Sequence, residues 1–150
     1  MVKKEVDPEL QRLDELRRKY KFMETNMQNQ RTHYESKIPD LKADVEMVKE
    51  LQKMKEGSEL TTQFALADSV YAKATVPKTD RIGLWLGANV MLEYPIDEAE
   101  ELLNKNLHQT EESVASLAES LDFVREQCTI TEVNIARLYN WDVRRRRTQK

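Results

Sequence analysis

Residues 103–138 read LNKNLHQTEESVASLAESLDFVREQCTITEVNIARL. Starting from the first leucine, alternating steps of four and three residues select a series of positions in which only the two threonines are polar. The series is Leu103, Leu107, Thr110, Val114, Leu117, Leu121, Val124, Cys128, Thr131, Ile135 and Leu138. A mean spacing of about 3.5 residues keeps one narrow stripe of a helix facing a partner helix. The segment therefore predicts a long helix that forms a coiled coil.

The start of this helix is marked by the residues that follow Pro95. Asp97 can cap the free N–H groups of the first turn, and Glu100 can complete a capping box. At the other end, the run of arginines suits the negative end of the helix dipole. We expect the helix at about 98–142, followed by a basic tail at 143–150.

The first half of the chain carries a matching stripe. Its positions at steps of seven are Leu13, Tyr20, Met27, Tyr34, Leu41 and Val48, with Leu16, Met23, Gln30 (a weak polar layer), Ile38 and Val45 between them. Asp7 and Pro8 form a good helix start and Gly57 a good stop, which predicts a helix at about 8–56. Pro39 removes one hydrogen bond inside this helix. Because the stripe continues past it, a kink is favoured over a break.

Two helices of similar length with complementary stripes favour pairing within one chain. The segment between them can reverse the chain, which would place the helices side by side and antiparallel. A parallel homodimer through each stripe is the alternative that the sequence leaves open.

Residues 58–95 interrupt the helical period. Apolar residues alternate with other residues in four short runs, at 60–66, 70–76, 82–86 and 90–94. Residues 67–69 and 87–89 have the composition of tight turns, and residues 77–80 form a longer break. We therefore expect two β-hairpins in series at about 60–94.

The predicted fold class is α+β, mainly α: a long antiparallel coiled-coil hairpin with two β-hairpins inserted between its helices. Residues 1–150 form a single domain in this prediction. Four short strands cannot bury both of their faces alone, and their edges are unpaired. Since the coiled coil would meet the insert only at one end, the sequence predicts that other subunits cover the strands.

The composition is typical of long solvated helices. Charged residues make up 34% of the chain, and it contains three glycines and four prolines. A single cysteine excludes an internal disulfide, and the lack of a signal-like or membrane-length apolar run favours a cytoplasmic protein without a membrane partner. The net charge is −3 despite the basic tail, so the body is acidic and no nucleic-acid partner is expected. The tail is either a frayed terminus or a patch for nuclear localisation or electrostatic docking.

The sequence offers few candidates for catalytic residues. His33 and His108 lie off the apolar stripes without fellow ligands at metal-binding spacing, and Cys128 occupies a stripe position that fits a buried thiol. The sequence contains no glycine-rich phosphate loop or nucleophile elbow. We therefore expect no enzymatic activity, no catalytic residues, no cofactor and no metal site.

The end of the coiled coil that contains both chain termini is a candidate contact surface. In an antiparallel pair, residues near 10 lie beside residues near 140. The apolar residues there are Leu10, Leu13, Leu16, Tyr20, Leu138, Tyr139, Trp141 and Val143. Tyr139 and Trp141 lie off the stripe and cannot both join the seam. They either pack locally or form an apolar patch for a partner or an unfolded chain.

Several stretches carry a likeness to a known family. They are LWLGANVMLEY at 84–94 with IDEA at 96–99, FALAD at 64–68 with YAKA at 71–74, TEVN at 131–134, YNWDV at 139–143, KFME at 21–24, and Ile38 with Pro39. In this order the chain resembles the α-class subunits of the prefoldin family. The resemblance covers nearly the whole chain, and the hairpin block is its most specific part.

The resemblance implies a heterohexamer of two α-class and four β-class prefoldin subunits, whose hairpins join into a β-barrel body. It also implies capture of non-native actin and tubulin, and their delivery to the cytosolic chaperonin without ATP. The residues placed in subunit assembly are Phe64, Leu66, Val70, Tyr71, Ile82, Leu84, Trp85, Leu86, Val90 and Leu92. The residues at the end of the coiled coil would contact the client. The alternative function is a coiled-coil scaffold or tether that binds folded partners.

Overall fold

The computed structural model of the protein describes residues 3–148. The elements in chain order are α1 (Lys3–Lys53), β1 (Glu59–Ala67), β2 (Val70–Pro77), β3 (Arg81–Gly87), β4 (Val90–Pro95) and α2 (Ile96–Thr148). The fold class predicted from the sequence is confirmed: two antiparallel β-hairpins lie between two long helices in the chain order, and the chain is mainly helical.

The chain divides into two compact units. Unit 1 contains residues 1–36 and 111–150, and unit 2 contains residues 37–110. The described part of unit 1 is helical, whereas unit 2 contains both hairpins together with parts of α1 and α2.

The two hairpins have the same design. β1 pairs with β2 from Glu59 opposite Pro77 to Ala67 opposite Val70, and β3 pairs with β4 from Arg81 opposite Pro95 to Gly87 opposite Val90. Each register shifts by one residue just before the turn, which leaves a leucine in the bulge, Leu66 in one hairpin and Leu86 in the other. The predicted alternating runs therefore coincide with the strands.

The second turn requires unusual backbone angles. Gly87, Ala88 and Asn89 all have positive φ, at 92°, 48° and 61°. Two successive residues in this region are typical of the type I′ turn that connects twisted strands, and asparagine tolerates it well. Gly87 adopts its angle without the Cβ strain that another residue would meet.

The core of unit 2 joins the second hairpin to the helices. Val45 and Val48 of α1 pack with Ile96 and Leu103 of α2, and partly buried apolar residues from α1 and β3 surround them. Gln52 donates hydrogen bonds to Asp97 and Glu100, while Lys49 lies 3.9 Å from Glu100. Residue numbers increase along α1 while those of the contacting residues on α2 decrease, so the helices are antiparallel within unit 2.

Unit 1 is a helix pair with the same antiparallel sense. Arg125 of α2 donates to Glu24 at 2.9 Å and to Gln28 at 3.3 Å. Farther along, Arg17 and Lys21 interact electrostatically with Cys128 and Glu132. The partner number rises as the α1 number falls, which confirms intramolecular antiparallel pairing in this unit.

The α2 stripe lies where the sequence predicts. None of its positions from Leu103 to Leu138 is exposed, and Leu121, Val124 and Cys128 are buried. The α1 stripe differs in unit 1. Met23 and Gln30 are exposed, whereas the next residues in the chain, Glu24 and Arg31, are partly buried.

Both helix starts differ from the capping rules. α1 begins at Lys3 rather than at the Asp7–Pro8 pair, and Val6 packs at a stripe position four residues before Leu10. α2 begins at Ile96, because β4 runs directly into the helix and the buried Ile96 belongs to the core. Asp97 consequently lies inside the first turn and accepts a hydrogen bond from Gln52 instead of capping the helix.

The helix ends differ as well. α1 ends at Lys53, before the predicted stop near residue 56. α2 continues to Thr148, so most of the segment predicted to be a basic tail is helical. The positive charges of Arg145 to Arg147 lie in the last turn, where they stabilise the carbonyl end of the helix.

Helix α1 passes through Pro39 without a break. Proline cannot donate to the carbonyl of Glu35, so one hydrogen bond of the helix is missing at this point. The apolar stripe continues on both sides, with Tyr34, Ile38 and Leu41 partly buried. Packing on either side therefore maintains the helix across the gap.

We expect Pro39→Ala to stabilise the protein, because it restores a backbone hydrogen bond and removes the clash of the proline ring in a helix. The gain should not exceed about 3 kcal/mol. Thermal unfolding measures it, and far-ultraviolet circular dichroism should show an almost unchanged helix content. A large rise in helix content would contradict a continuous α1. The matched control is Lys37→Ala, at an exposed α1 position that already has its backbone donor.

Candidate functional site

The first hairpin leaves its large apolar side chains exposed. Phe64 is 63% exposed, and Leu66, Val70 and Tyr71 are exposed to a similar extent. β1 and β2 form a sheet of two strands, so each has an outer edge without a strand partner within the described chain. Exposed apolar groups next to open strand edges are typical of a surface that pairs with another protein.

The second hairpin has two different faces. Ile82 and Leu84 of β3 point to the helices and pack against the core of unit 2. Trp85 points the other way, is 60% exposed, and pairs across the sheet with Met91. Leu86, Val90 and Leu92 are also exposed.

Two of the residues predicted to serve assembly thus have a role inside the chain. The sequence-based reasoning held that the coiled coil could not cover the insert. The structure corrects this for β3, because Ile82 and Leu84 are partly buried by α1 and α2. The other residues predicted for assembly remain exposed, and their contact with other subunits stays a prediction.

Met91 was missed by the sequence-based reasoning. It is 59% exposed and lies opposite Trp85, and a side chain at Gly83 would come within 3.2 Å of its sulfur atom. Gly83 therefore leaves room for Met91 on this face. The sequence contains a signal for it, because Met91 alternates with Val90 and Leu92 along β4 and lies opposite Trp85 in the hairpin.

An open groove lies beside this hairpin in unit 2. Its volume is about 410 Å³, and the residues that line it include Met47, Leu51, Leu84, Trp85, Leu86 and Met91. The lining is mainly apolar, although Asp44 and Asn106 contribute polar groups, and the groove is open to solvent on one side.

The end of unit 1 contains the residues predicted to contact a client. Six of them are partly buried in or beside the seam: Leu10, Leu13, Leu16, Tyr20, Leu138 and Val143. The two that lie off the stripe are exposed, Tyr139 at 61% and Trp141 at 52%. The structure thus leaves two aromatic side chains exposed there, one on each side of the stripe, and the other six residues are partly buried.

A polar cluster continues the α2 stripe past Leu138. Asp142 is the next position of the series and is 3% exposed. Its carboxylate accepts a 2.7 Å hydrogen bond from Arg145 and forms a second ion pair with Arg146. The guanidinium of Arg145 lies 5.0 Å from the ring centre of Trp141, within the range of a cation–π contact.

This cluster changes the interpretation of the basic tail. Two nitrogens of Arg145, Nε and Nη1, are buried without a hydrogen-bond partner among the described atoms. The basic residues therefore belong in part to the end of the helix pair. The sequence-based reasoning missed Asp142 because it looked for apolar residues, although one more step of four from Leu138 reaches it.

An ion pair joins the two helices of unit 1 at Glu24. Arg125 and Lys21 both bind the Glu24 carboxylate, at 2.9 and 3.1 Å, and the side chain of Glu24 is 21% exposed. These two cations lower the pKa of Glu24 below its ordinary value of 4.5, chiefly through the hydrogen bond from Arg125. The same carboxylate raises the pKa of Lys21.

Residues with metal-binding or nucleophilic side chains do not converge. Within residues 3–148, no group of three or more His, Cys, Asp or Glu side chains could hold a metal ion. Cys128 is buried in the seam, with its sulfur 3.8 Å from a carboxylate oxygen of Glu132. In the same described part of the chain, neither helix has a segment apolar and long enough to cross a membrane.

Known proteins with the same features identify the family. The family model described as prefoldin subunit matches residues 11–141. Prefoldin subunit 3 of Mus musculus is 53% identical over 141 residues, covering 93% of this chain and 72% of the relative. Prefoldin subunit 3 of Drosophila melanogaster is 51% identical over 137 residues, covering 91% and 70%, respectively. A probable prefoldin subunit 3 of Schizosaccharomyces pombe is 42% identical over 146 residues, covering 97% and 86%.

A solved structure has the same fold. A chain in the cryo-EM structure of filamentous prefoldin from Methanocaldococcus jannaschii superimposes with a TM-score of 0.62 at 16% identity, covering 80% of this chain and 98% of that chain. The chain described here belongs to the prefoldin family of chaperone subunits. The resemblance stated from the sequence is confirmed, and it extends to prefoldin subunit 3 in particular.

We expect the pairing of the unit 1 helices to depend on the charge of Glu24. Because its pKa is lowered on folding, its carboxylate stabilises the protein at neutral pH and loses this effect as the pH falls from 4.5 through the lowered value. Glu24→Gln should therefore reduce stability at pH 7 by about 0.2–1 kcal/mol, the usual range for exposed ion pairs. Unfolding by urea at several pH values measures the difference.

The difference between wild type and Glu24→Gln should shrink toward zero in acid. Glu15→Gln is the matched control, since Glu15 is exposed on the same helix outside the seam. A constant difference at all pH values would show that the Glu24 charge does not hold the helices together.

Proposed function

We propose that this chain is a subunit of a hetero-oligomeric co-chaperone that captures non-native polypeptides without ATP. The observation that carries the proposal is the exposure of large apolar side chains on both hairpins, next to strand edges without partners in the described chain. Phe64 and Trp85 are among the exposed side chains that a neighbouring subunit would bury. In this proposal the neighbours are other prefoldin subunits, in a heterohexamer of two α-class and four β-class subunits.

Assembly through the hairpins follows from the cost of their exposure. Burying one large apolar side chain contributes about 1.5–3 kcal/mol. β1 and β2 expose Phe64, Leu66, Val70 and Tyr71, and β3 and β4 expose a further set around Trp85. Strand addition at the open edges would supply main-chain hydrogen bonds at the same time. This combination favours a permanent interface over a transient one.

The proposed client site lies at the end of unit 1. Tyr139 and Trp141 present flat aromatic surfaces to solvent, and an unfolded chain exposes apolar groups that such surfaces bind. Each contact is weak. Several subunits held in one complex would bind a client together, because tethered sites raise the effective concentration of each other.

The proposed clients are actin and tubulin chains in non-native states, which the complex would pass to the cytosolic chaperonin. In this proposal the complex captures its client by binding energy alone. A cytoplasmic location, or a shared cytoplasmic and nuclear one, is part of the same proposal. A scaffold or tether for folded partners is the competing function, and it requires no preference for unfolded chains.

We expect the chain to co-purify in a complex whose native mass corresponds to six subunits. Phe64→Ser with Trp85→Ser should raise the concentration needed for half-assembly at least about tenfold, because buried aromatic residues dominate interface energies. Native mass spectrometry over a dilution series measures assembly. Val133→Ser, which removes an exposed apolar side chain from α2 in unit 1, is the control and should assemble normally. A stable monomer or homodimer of the wild-type chain would refute the proposal.

We expect Trp141→Ala to weaken client capture and to leave the complex intact. The measurement is the suppression of aggregation when denatured actin is diluted into buffer with the purified complex. Trp141→Phe is the matched variant, because it keeps an aromatic ring at the surface while it reduces the contact with Arg145. If Trp141→Ala abolishes assembly, the residue is structural. If it changes neither assembly nor capture, the end of unit 1 does not bind the client.

A further inference from the structure

Helix α2 carries a threonine directly after four arginines. Residues 144–148 read RRRRT, and α2 ends at Thr148. Among the serines and threonines of the sequence, Thr148 alone has an arginine at both the second and the third position before it. This is the charge pattern that arginine-directed kinases select, because carboxylates in the kinase form paired hydrogen bonds with the guanidinium groups of the substrate.

The Thr148 hydroxyl is accessible to a kinase. Its side chain is exposed, and its Oγ1 donates a 3.1 Å hydrogen bond to the carbonyl of Arg144, one turn back in the same helix. The last turn of a helix opens at a small cost in free energy, because few backbone hydrogen bonds hold it. The hydroxyl can therefore leave the helix without a change in the seam of unit 1.

Both arginines of the recognition pattern are held by one carboxylate. Arg145 donates a 2.7 Å hydrogen bond to Asp142, and Arg146 forms an ion pair with the other oxygen of the same carboxylate. Asp142 is 3% exposed, so burial strengthens these pairs. A kinase would bind the two guanidinium groups through carboxylates of its own. Asp142 thus competes with the kinase for Arg145 and Arg146.

The release of Arg145 is less costly than its burial suggests. Nε and Nη1 of this side chain are buried without hydrogen-bond partners among the described atoms. Both groups gain hydrogen bonds from water when the side chain leaves, which offsets part of the lost ion pair with Asp142. The segment can therefore open for an enzyme, although Asp142 restrains it.

We propose that Thr148 is phosphorylated by an arginine-directed serine/threonine kinase, and that Asp142 limits the reaction by holding Arg145 and Arg146. The Thr148 oxygen forms a bond with the γ-phosphorus of ATP, and the bond from that phosphorus to the oxygen bridging it to the β-phosphorus breaks. ADP leaves, and the hydroxyl proton passes to the carboxylate base of the kinase. This site goes beyond the proposed function and does not depend on the client.

The phosphate changes the charge at this end of the helix pair. Arg144 to Arg147 carry four positive charges and Asp142 carries one negative charge. A phosphothreonine adds about −1.5 to −2 at neutral pH, which cancels roughly half or more of the net positive charge. Position 148 lies three and four residues after Arg145 and Arg144, the spacing at which side chains of one helix pair. The phosphate therefore gives Arg145 a second anion to bind.

The first experiment measures whether Thr148 accepts phosphate. The complex in which the chain purifies is incubated with ATP and the catalytic subunit of cyclic AMP-dependent protein kinase, an arginine-directed enzyme. Cleavage before aspartate releases the segment that starts at Asp142, in which Thr148 carries the only hydroxyl group, and mass spectrometry measures its phosphate. We expect phosphate on this segment in wild type, and none in Thr148→Val or with a kinase that selects acidic sequences. A wild-type segment without phosphate would overturn the inference.

The second experiment measures recognition of the arginines. Arg146→Gln should lower kcat/KM for phosphorylation of Thr148 at least about tenfold, because the kinase loses a hydrogen bond between charged groups. Arg137→Gln is the matched control, since Arg137 is exposed on the same helix outside the pattern, and it should react like wild type. Equal rates for the two variants would contradict recognition through this pattern.

The third experiment measures the restraint by Asp142. Asp142→Asn should raise kcat/KM about two- to tenfold, because the amide binds the two guanidinium groups more weakly than the carboxylate does. Asp122→Asn, at an exposed carboxylate of α2, should leave kcat/KM unchanged.

A further variant separates this restraint from general opening of the helix end. Asn140→Gly weakens the helix at an exposed position and keeps the ion pairs of Asp142, so it should raise kcat/KM less than Asp142→Asn does. Circular dichroism checks that the helix content of each variant is retained. Equal increases in the two variants would show that helix opening alone limits the reaction, which would overturn the part assigned to Asp142.

Discussion

The contact of Ile82 and Leu84 with Val45, Val48 and Leu103 is the constraint on which unit 2 depends. Because side chains on a strand alternate between faces, burying these two residues necessarily turns Trp85 outward, and cross-strand pairing turns Met91 outward with it. The helices thus determine which face of the second hairpin is left for another protein. The first hairpin also leaves large apolar side chains exposed, among them Phe64 and Leu66.

The seam of unit 1 differs in composition from the core of unit 2. Its seam contains Glu24 and Arg31 where an apolar stripe would be expected, and the ion pair with Arg125 is partly exposed. Such a pair contributes little stability, about 0.2–1 kcal/mol. The α2 side of the seam is buried through Leu121, Val124 and Cys128, so packing holds the helices together and the ion pair of Glu24 with Arg125 adds to it.

The spacing of the apolar residues and the composition of the turns predicted most of the fold. The runs in residues 60–94 alternate so regularly that the strands could be placed nearly to the residue, and the α2 stripe was equally clear. The α1 stripe was misplaced at Met23 and Gln30, because the second position of a heptad can follow the first by three or by four residues and the apolar Met23 favoured three. The structure uses four throughout, at Glu24, Arg31, Ile38 and Val45. The helix starts were misplaced because the packing of Val6 and Ile96 outweighs the preferences of capping residues. Met91 and Asp142 were missed although the sequence contains a signal for each: Met91 lies opposite Trp85 once the hairpin register is known, and Asp142 is the next position of the α2 series but is not apolar.

The two units separate the side chains that set their geometry from those that remain open to solvent. In unit 2 the buried contact of β3 with the helices sets the geometry, and Trp85 is left exposed on the opposite face. In unit 1 the α2 stripe is buried through Leu121, Val124 and Cys128, while Trp141 lies off that stripe and is 52% exposed. Because neither exposed tryptophan lies in the core or on the stripe, contact of either ring with another protein would leave the internal packing of its unit unchanged.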